Sequence, residues 1–224
     1  MPQSTNVSRR AALTGLVMAG SAAVVTHALA QRSGELVVTP SQTEGPYYPV
    51  DWSGDIDHDL VEVKGQPSKA AGPVAHVSGR VLDLAGQPIA GARVEIWQCD
   101  NKGIYRHPAD RGAGRAPDPG FQGHGRVETG SDGRYAFRTL RPAIYPGRAP
   151  HIHFKVRVPG SPTLTTQLYV HGDPANERDG VLSRIRDRRQ RESVIARFEP
   201  ADAVEAGALA ATFDIVIARA PRRA

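Results

Sequence analysis

From Val74 onward, Gly and Pro cut the chain into short runs rich in Val, Ile, Thr and aromatic residues, and almost nowhere does the spacing of an amphipathic helix persist. VAHVSGRVLDL and ARVEIWQ flank AGQPIAG; HGRVETG and RYAFRTL flank Ser131-Asp132-Gly133; HIHFKVRV and TLTTQLYV flank Pro159-Gly160-Ser161-Pro162; ATFDIVIA (211–218) comes last. Such runs are too short to bury themselves and must pair into sheets that stack. The pattern predicts an all-β fold, an antiparallel β-sandwich of about seven or more strands with long loops, and at most a short helix within 181–197. The first two pairs of runs read as hairpins, the second with turn chemistry suited to positive φ.

Ahead of this region stands MPQSTNVSRRAALTGLVMAGSAAVVTHALAQ, with paired Arg9 and Arg10, an apolar run from Ala11 to about Val25, and Ala28-Leu29-Ala30. A charged start, a short apolar stretch and a small-residue cleavage site make a secretory signal, and twin arginines after Ser8 indicate the Tat route. The apolar run of about 15 residues is short of the roughly 20 that span a bilayer, so no stable membrane span is expected after cleavage. Residues 1–30 are therefore read as a Tat-type signal peptide, 31–73 as an extended arm draped over the domain or used in assembly, and 74–224 as the sandwich domain. The expected location is periplasmic or secreted, by a route that lets a cofactor be loaded before crossing.

Removal of residues 1–30 leaves 194 of 224 residues, enough for one well-buried domain. The removed segment holds two of the 28 basic residues and none of the 23 acidic ones, so the formal charge falls from +5 to +3. Such an excess says little about partners. The arginine-rich RIRDRRQRESVIAR (184–197) is interrupted by Asp187 and Glu192 and reads as a solvated helix face, so no nucleic acid is expected. Cys99 is the single cysteine; no intrachain disulfide can form, and a buried inert thiol is expected.

Within this frame the run YPGRAPHIHFKV (145–156) carries His151 and His153, one residue apart in a predicted strand. Alternate strand residues share a face, so the two imidazoles lie side by side and can grip one ion. The plainer alternative is two polar residues on the wet face of a half-exposed strand. Tyr105 in NKGIYRHP and Tyr145 in AIYPGR sit in turn-like sequence, where a rigid scaffold can hold a side chain out toward a site, although each alone also suits a buried core phenol. Two phenolates with two imidazoles carry a charge of minus two, which favours a hard trivalent ion, and ferric iron fits best.

The segments GARVEIWQCDNKGIYRHP (91–108), GRVETGSDGRYAFRTLRPAIYPGRAPHIHFKV (125–156), LTTQLYVHGDP (164–174) and TFDIVI (212–217) together resemble the intradiol ring-cleavage dioxygenases of the protocatechuate and catechol type. TEGPYYP (43–49) is similar to the segment that precedes the catalytic domain there. The resemblance implies that Tyr105, Tyr145, His151 and His153 hold a non-haem Fe(III), with water or hydroxide as fifth ligand. Tyr145 and His153 match the family's axial ligands, Tyr105 and His151 the equatorial ones. Arg148 matches the family's active-site arginine, Gln167 a glutamine near the iron, and Tyr47 and Tyr48 either line the substrate opening or pin the arm. The implied reaction inserts both atoms of dioxygen into a catechol and cleaves the ring between its hydroxylated carbons to a muconate-type diacid. Tyr145 would be displaced and take a proton, and Arg148 would stabilise negative charge.

One departure stands out: only Pro146, Gly147, Arg148, Ala149 and Pro150 separate Tyr145 from His151, where better-known relatives have a longer loop with a tryptophan and arginines. That implies a more open pocket, so the substrate preference of no single relative carries over; a catecholic small molecule and dioxygen are the expected partners, and a homo-oligomer is left open on separate grounds. His107 is a candidate for tuning the site, whereas His171, Asp132 and Asp173 read as surface or turn residues. The rival from another class is a metal-free, exported transthyretin-like β-sandwich binding module, which GRVLDLAGQPIAGARVEIW also resembles and which requires neither the tyrosines nor the histidine pair. A zinc or copper enzyme is disfavoured by the paired phenols.

Overall fold

Strand β5 (His151–Arg157) is buried along all but its last residue, which no half-exposed strand could be. Its even-numbered residues Ile152, Phe154 and Val156 face one way and pack into the hydrophobic core; His151, His153 and Lys155 face the other and are buried as well. A computed structural model describes residues 36–110, 112 and 114–218; the segment read as an export signal lies outside the described residues.

The strands before β5 are β1 (Val74–Leu82), β2 (Arg93–Trp97), β3 (His124–Glu128) and β4 (Arg134–Leu140). After it come β6 (Leu164–Val170), β7 (Ile195–Ala196), β8 (Glu199–Pro200), β9 (Leu209–Thr212) and β10 (Ile215–Val216). They form two five-stranded sheets. One has the order β3-β2-β5-β6-β7; in the other, β1 pairs with β4 on one side and with β9 and β10 on the other, and β8 lies outside β9. Val77, Phe137 and Tyr135 from the second sheet meet Ile96, Phe154 and Leu168 from the first, and Phe154 packs edge-on against Phe213 at 5.1 Å. Each fully buried side chain of this size contributes about 1.5–3 kcal/mol.

The all-β sandwich is the expected architecture, with two differences of connection. β1 and β2 belong to different sheets, as do β3 and β4, so the two predicted hairpins are crossings between layers. Turn chemistry alone does not separate the cases: Gly133, at φ 70°, accepts from Val81 N at 2.9 Å and turns the chain over the end of the sandwich. Parallel pairs also join the antiparallel ones, β6 with β7 and β1 with β9 and β10. A parallel pair needs a long crossover, and residues 171–194 supply one between β6 and β7. That crossover contains the short helix α1 (Arg188–Ser193), capped by Asp187 at Gln190 N (2.8 Å), with no buried residue and an exposed Arg188–Glu192 pair. It is the solvated arginine-rich face expected, and no described helix is long and apolar enough to cross a membrane.

Residues 36–73 form no helix or strand beyond one isolated bridge, and their first half lies across the outer face of the β5 sheet. Gln42 N donates to Thr165 O (2.8 Å), Glu44 pairs with Lys155, and Tyr48 donates to Glu95 Oε2 (2.8 Å). This cover is what buries the second face of β5.

The last predicted strand is broken. At Phe213 and Asp214 the chain leaves the ladder, and the Asp214 carboxylate takes over by accepting from Arg80 N at 2.8 Å. Tyr135 Oη donates to the buried Phe213 carbonyl, and Gly79 lets that carbonyl approach: a Cβ there would stand 1.9 Å from the oxygen. Gly79→Ala should therefore destabilise the fold by about 2–4 kcal/mol, measured by urea denaturation, because backbone must move to admit the methyl.

Candidate metal centre

β2 ends at Trp97, and the chain leaves the sheet in a turn held by Asp100, whose Oδ1 accepts from Lys102 N (2.8 Å) and Ile104 N (3.0 Å). Asp110 then accepts from Tyr105 N at 2.7 Å, so two carboxylates fix the backbone leading into this tyrosine. Gly103, at φ 71°, is where this loop meets the next; a Cβ would lie 2.7 Å from Ile144 O. Only glycine combines that backbone with that approach, and it brings Tyr105 against the loop carrying Tyr145. Tyr145 is half-buried and begins a tight turn closed by Arg148 N donating to Tyr145 O (3.1 Å).

The four rings converge. Tyr105 and Tyr145 lie 5.5 Å apart between centroids, Tyr145 and His151 5.5 Å, Tyr105 and His153 6.2 Å, and His151 and His153 4.7 Å. His151 Nδ1–H donates to Ala149 O at 2.6 Å, which leaves Nε2 with its lone pair, 3.1 Å from His153 Nε2. That separation suits two imidazoles set at right angles about one ion with bonds of about 2.1 Å. The Tyr105 hydroxyl is buried beside Tyr145 without a hydrogen-bond partner among the described residues. An orphaned buried phenol is costly unless something else binds its oxygen, so the donor set fits a metal. No described group of three or more His, Cys, Asp or Glu could hold one, so the tyrosines are needed to complete the set.

Arg148 extends over these donors. Its Nη1 lies 3.4 Å from both Tyr145 Oη and His151 Nε2, while Nη2 donates to Gln167 Oε1 at 2.5 Å and to Tyr169 Oη at 3.2 Å. The far edge is taken by Asp179, whose Oδ2 accepts from Arg148 Nε at 2.9 Å. The short loop thus brings Arg148 to the site. Gln167, the glutamine expected near the metal, is fully buried and in register with His153 on the neighbouring strand.

Tyr47 and Tyr48 part company. Tyr47 stacks on Tyr105 at 4.5 Å and meets Tyr145 edge-on at 6.3 Å, making the arm one wall of the site. Tyr48 turns into the sheet, where Lys155 Nζ lies 3.4 Å above its ring and Arg157 and Glu95 bond its hydroxyl, so it pins the arm. His107 accepts from Ala109 N (3.1 Å) and packs on Tyr47; its contacts are with the loop and the arm. Asp132 and Asp173 hold turns as read, His171 is exposed, and burial pushes the Cys99 thiol up to about 12, leaving it inert. Sequence reasoning missed Trp97, which stacks on His153 at 4.6 Å, and also Tyr169 and Asp179. Strand register reveals the first two, since Trp97 is opposite His153 and Tyr169 opposite His151. Asp179 has no comparable signal, because a long crossover brings it in.

A family model described as Dioxygenase matches residues 43–219. The chain is 37% identical over 182 residues to a protocatechuate 3,4-dioxygenase beta chain of Burkholderia cepacia, covering 77% of this chain and 76% of that one. It is 36% identical over 155 residues to catechol 1,2-dioxygenase 1 of Acinetobacter lwoffii, but spans 47% of that protein's length and 61% of its own. The solved dioxygenase domain of a dioxygenase carbohydrate-binding fusion from Streptomyces sp. SirexAA-E superposes with a TM-score of 0.61 at 33% identity, over 82% of this chain and all of that one. A ring-cleaving active site on a β-sandwich is the class that fold and site define. The chain belongs to the intradiol dioxygenase family, and a binding module without an active site is not favoured.

Burial, reinforced by the Arg148 charge, pushes the His151 imidazole down to about 4, and burial with the neighbouring His151 and Arg148 holds His153 well below its usual range. Burial raises both phenols, Tyr105 strongly; for Tyr145 the adjacent Arg148 partly offsets this. Without a cation, the site therefore holds neutral donors. For His151 the folded value lies below the unfolded 6.5, so the unfolded chain binds the proton first and acid favours unfolding. The metal-free protein should keep full stability above pH 6.5 and lose up to about 3 kcal/mol from this residue as pH falls toward 4. Urea titrations at about pH 7 and about pH 4.5 measure the loss, and His151→Gln should reduce it by this residue's share while the part due to His153 remains.

Proposed function

We propose that Tyr105, Tyr145, His151 and His153 hold a single non-haem ferric ion, and that the protein cleaves a catechol-type ring between its two hydroxylated carbons with dioxygen, giving a muconate-type diacid. The observation that carries this reading is the buried Tyr105 hydroxyl without a partner, beside two imidazoles that turn their Nε2 atoms toward one point. When bound, ferric iron supplies Lewis acidity to both catechol oxygens and draws electron density from the ring, so that dioxygen can react at carbon.

The remaining work belongs to the chain. Buried Tyr105, fixed at its backbone by Asp110 and stacked under Tyr47, is the immobile phenol. Tyr145 lies in an exposed-edged turn beside Ile144, which is 61% exposed, so it is the phenol free to leave and accept a proton from the entering diol. Arg148 Nη1, beside Tyr145 Oη, holds negative charge that develops on the substrate, in a site largely screened from water. Gln167 bonds Arg148 and fixes its direction. Trp97 keeps the His153 ring parallel to its own and excludes water behind it. The substrate class is a vicinal aromatic diol, the element common to the names of the protocatechuate and catechol relatives. Residues 1–30 would direct export, and Arg9→Lys with Arg10→Lys should leave the precursor in the cytoplasm.

Protein from iron-replete cells should be red to purple and consume dioxygen with catechol, protocatechuate or hydroxyquinol. Tyr105→Phe should shift or remove the colour and weaken iron binding by at least the roughly ten- to hundredfold typical of losing an outer partner. Arg148→Gln should keep the colour and lower kcat by about 10²–10³. A colourless, iron-free and inactive wild type rejects this reading.

A further inference from the structure

We propose that Asp179 is a positioning residue that holds the Arg148 guanidinium against Tyr145 and His151, with Tyr169 and the arm residue Gln42 completing the brace; this rests on the role given to Arg148 above. The carboxylate of Asp179 has no exposed side-chain surface and is saturated with donors. Oδ1 accepts from Val181 N (2.9 Å) and Leu182 N (2.8 Å), and Oδ2 from Ala149 N (2.8 Å) and Arg148 Nε (2.9 Å). Arg148 is thereby held at two points, through its side chain and through the backbone N–H that follows it.

The rest of the guanidinium is fixed from the side away from the donors. Tyr169 Oη accepts from Nη2 and lies 2.9 Å from both Gln42 Oε1 and Gln167 Oε1, to either of which it can donate. Gln167 accepts from Nη2 and donates to Thr43 O at 2.9 Å. Only Nη1 is directed toward the Tyr145 hydroxyl and His151 Nε2. A buried ion pair is a weak source of net stability because both charges lose water, whereas an arginine side chain carries about 2 kcal/mol of rotamer freedom that must be frozen before it can act as a fixed charge. Asp179 does that freezing in advance. It belongs to the crossover between β6 and β7, so an element remote in sequence orients the cation facing Tyr145 and His151, and the arm reaches the same cation through Gln42 and Tyr169.

The test is a pair of double-variant cycles on the iron-loaded protein, with crystal structures of the single variants. Asp179→Asn and Tyr169→Phe should each lower kcat by about ten- to a hundredfold with iron content unchanged and KM within about threefold. In an Arg148→Gln background neither should lower kcat further, because a brace has no effect once the braced group is gone. Their structures should show the guanidinium swung off Tyr145 Oη. Losses that multiply with Arg148→Gln, an unaltered kcat, or a guanidinium unmoved in both variants overturns the proposal. Tyr169→Phe removes one hydroxyl and keeps the test open should Asp179→Asn fail to fold. A wild type that oxidises no catechol refutes the functional reading instead; the brace is then judged by the guanidinium positions alone, which either move or do not.

Discussion

Burial of β5 on both faces is the constraint on which the site depends. A strand of a two-layer sandwich ordinarily presents one face to water, and a His-x-His pair there would titrate freely and bind metals weakly. Here the arm lies over that face, so both imidazoles are dehydrated and neutral, and their lone pairs are available as donors. The same cover strips water from Tyr105 and leaves its hydroxyl unpartnered. Desolvation that penalises these neutral donors would be relieved if the proposed ion deprotonated the phenols, which would couple metal binding to the stability of this region.

Charge around the donors is arranged with equal economy. Arg148 is the cation facing Tyr145 and His151, and it is anchored on a buried carboxylate. Burial pushes the Asp179 carboxyl up, but the N–H groups of Leu182 and Ala149 and the Arg148 charge outweigh it and hold it below its ordinary value, so the pair stays ionised. Farther along the sheet face a second set of charges, Glu44, Glu95, Lys155 and Arg157 around Tyr48, ties the arm down. One cluster orients the chemistry and the other keeps its lid in place.

Much of this was legible in the residues. Alternation along 74–218 revealed the layered sheets, and the two-residue period of a strand put His151 and His153 on one face. The tyrosines were recognisable through the chemistry of a hard donor set and the order of the motifs. Less legible were the crossings: Asp132-Gly133 can close a hairpin or carry the chain between layers, and local turn preference is the same for both. The separate fates of Tyr47 and Tyr48 were hidden too, since adjacent residues of an arm take their directions from the surface beneath, where Lys155 draws one ring and Tyr105 the other.

By itself, then, the order of side chains determined a β-sandwich and singled out four side chains that converge on one site, because strand periodicity and side-chain chemistry are local properties. Only the tertiary structure decided that the His-x-His face is dry, that Trp97 backs His153, and that Asp179 holds Arg148. Those depend on the arm and a long crossover returning to β5 from far along the chain, and no local rule encodes where such segments come to rest.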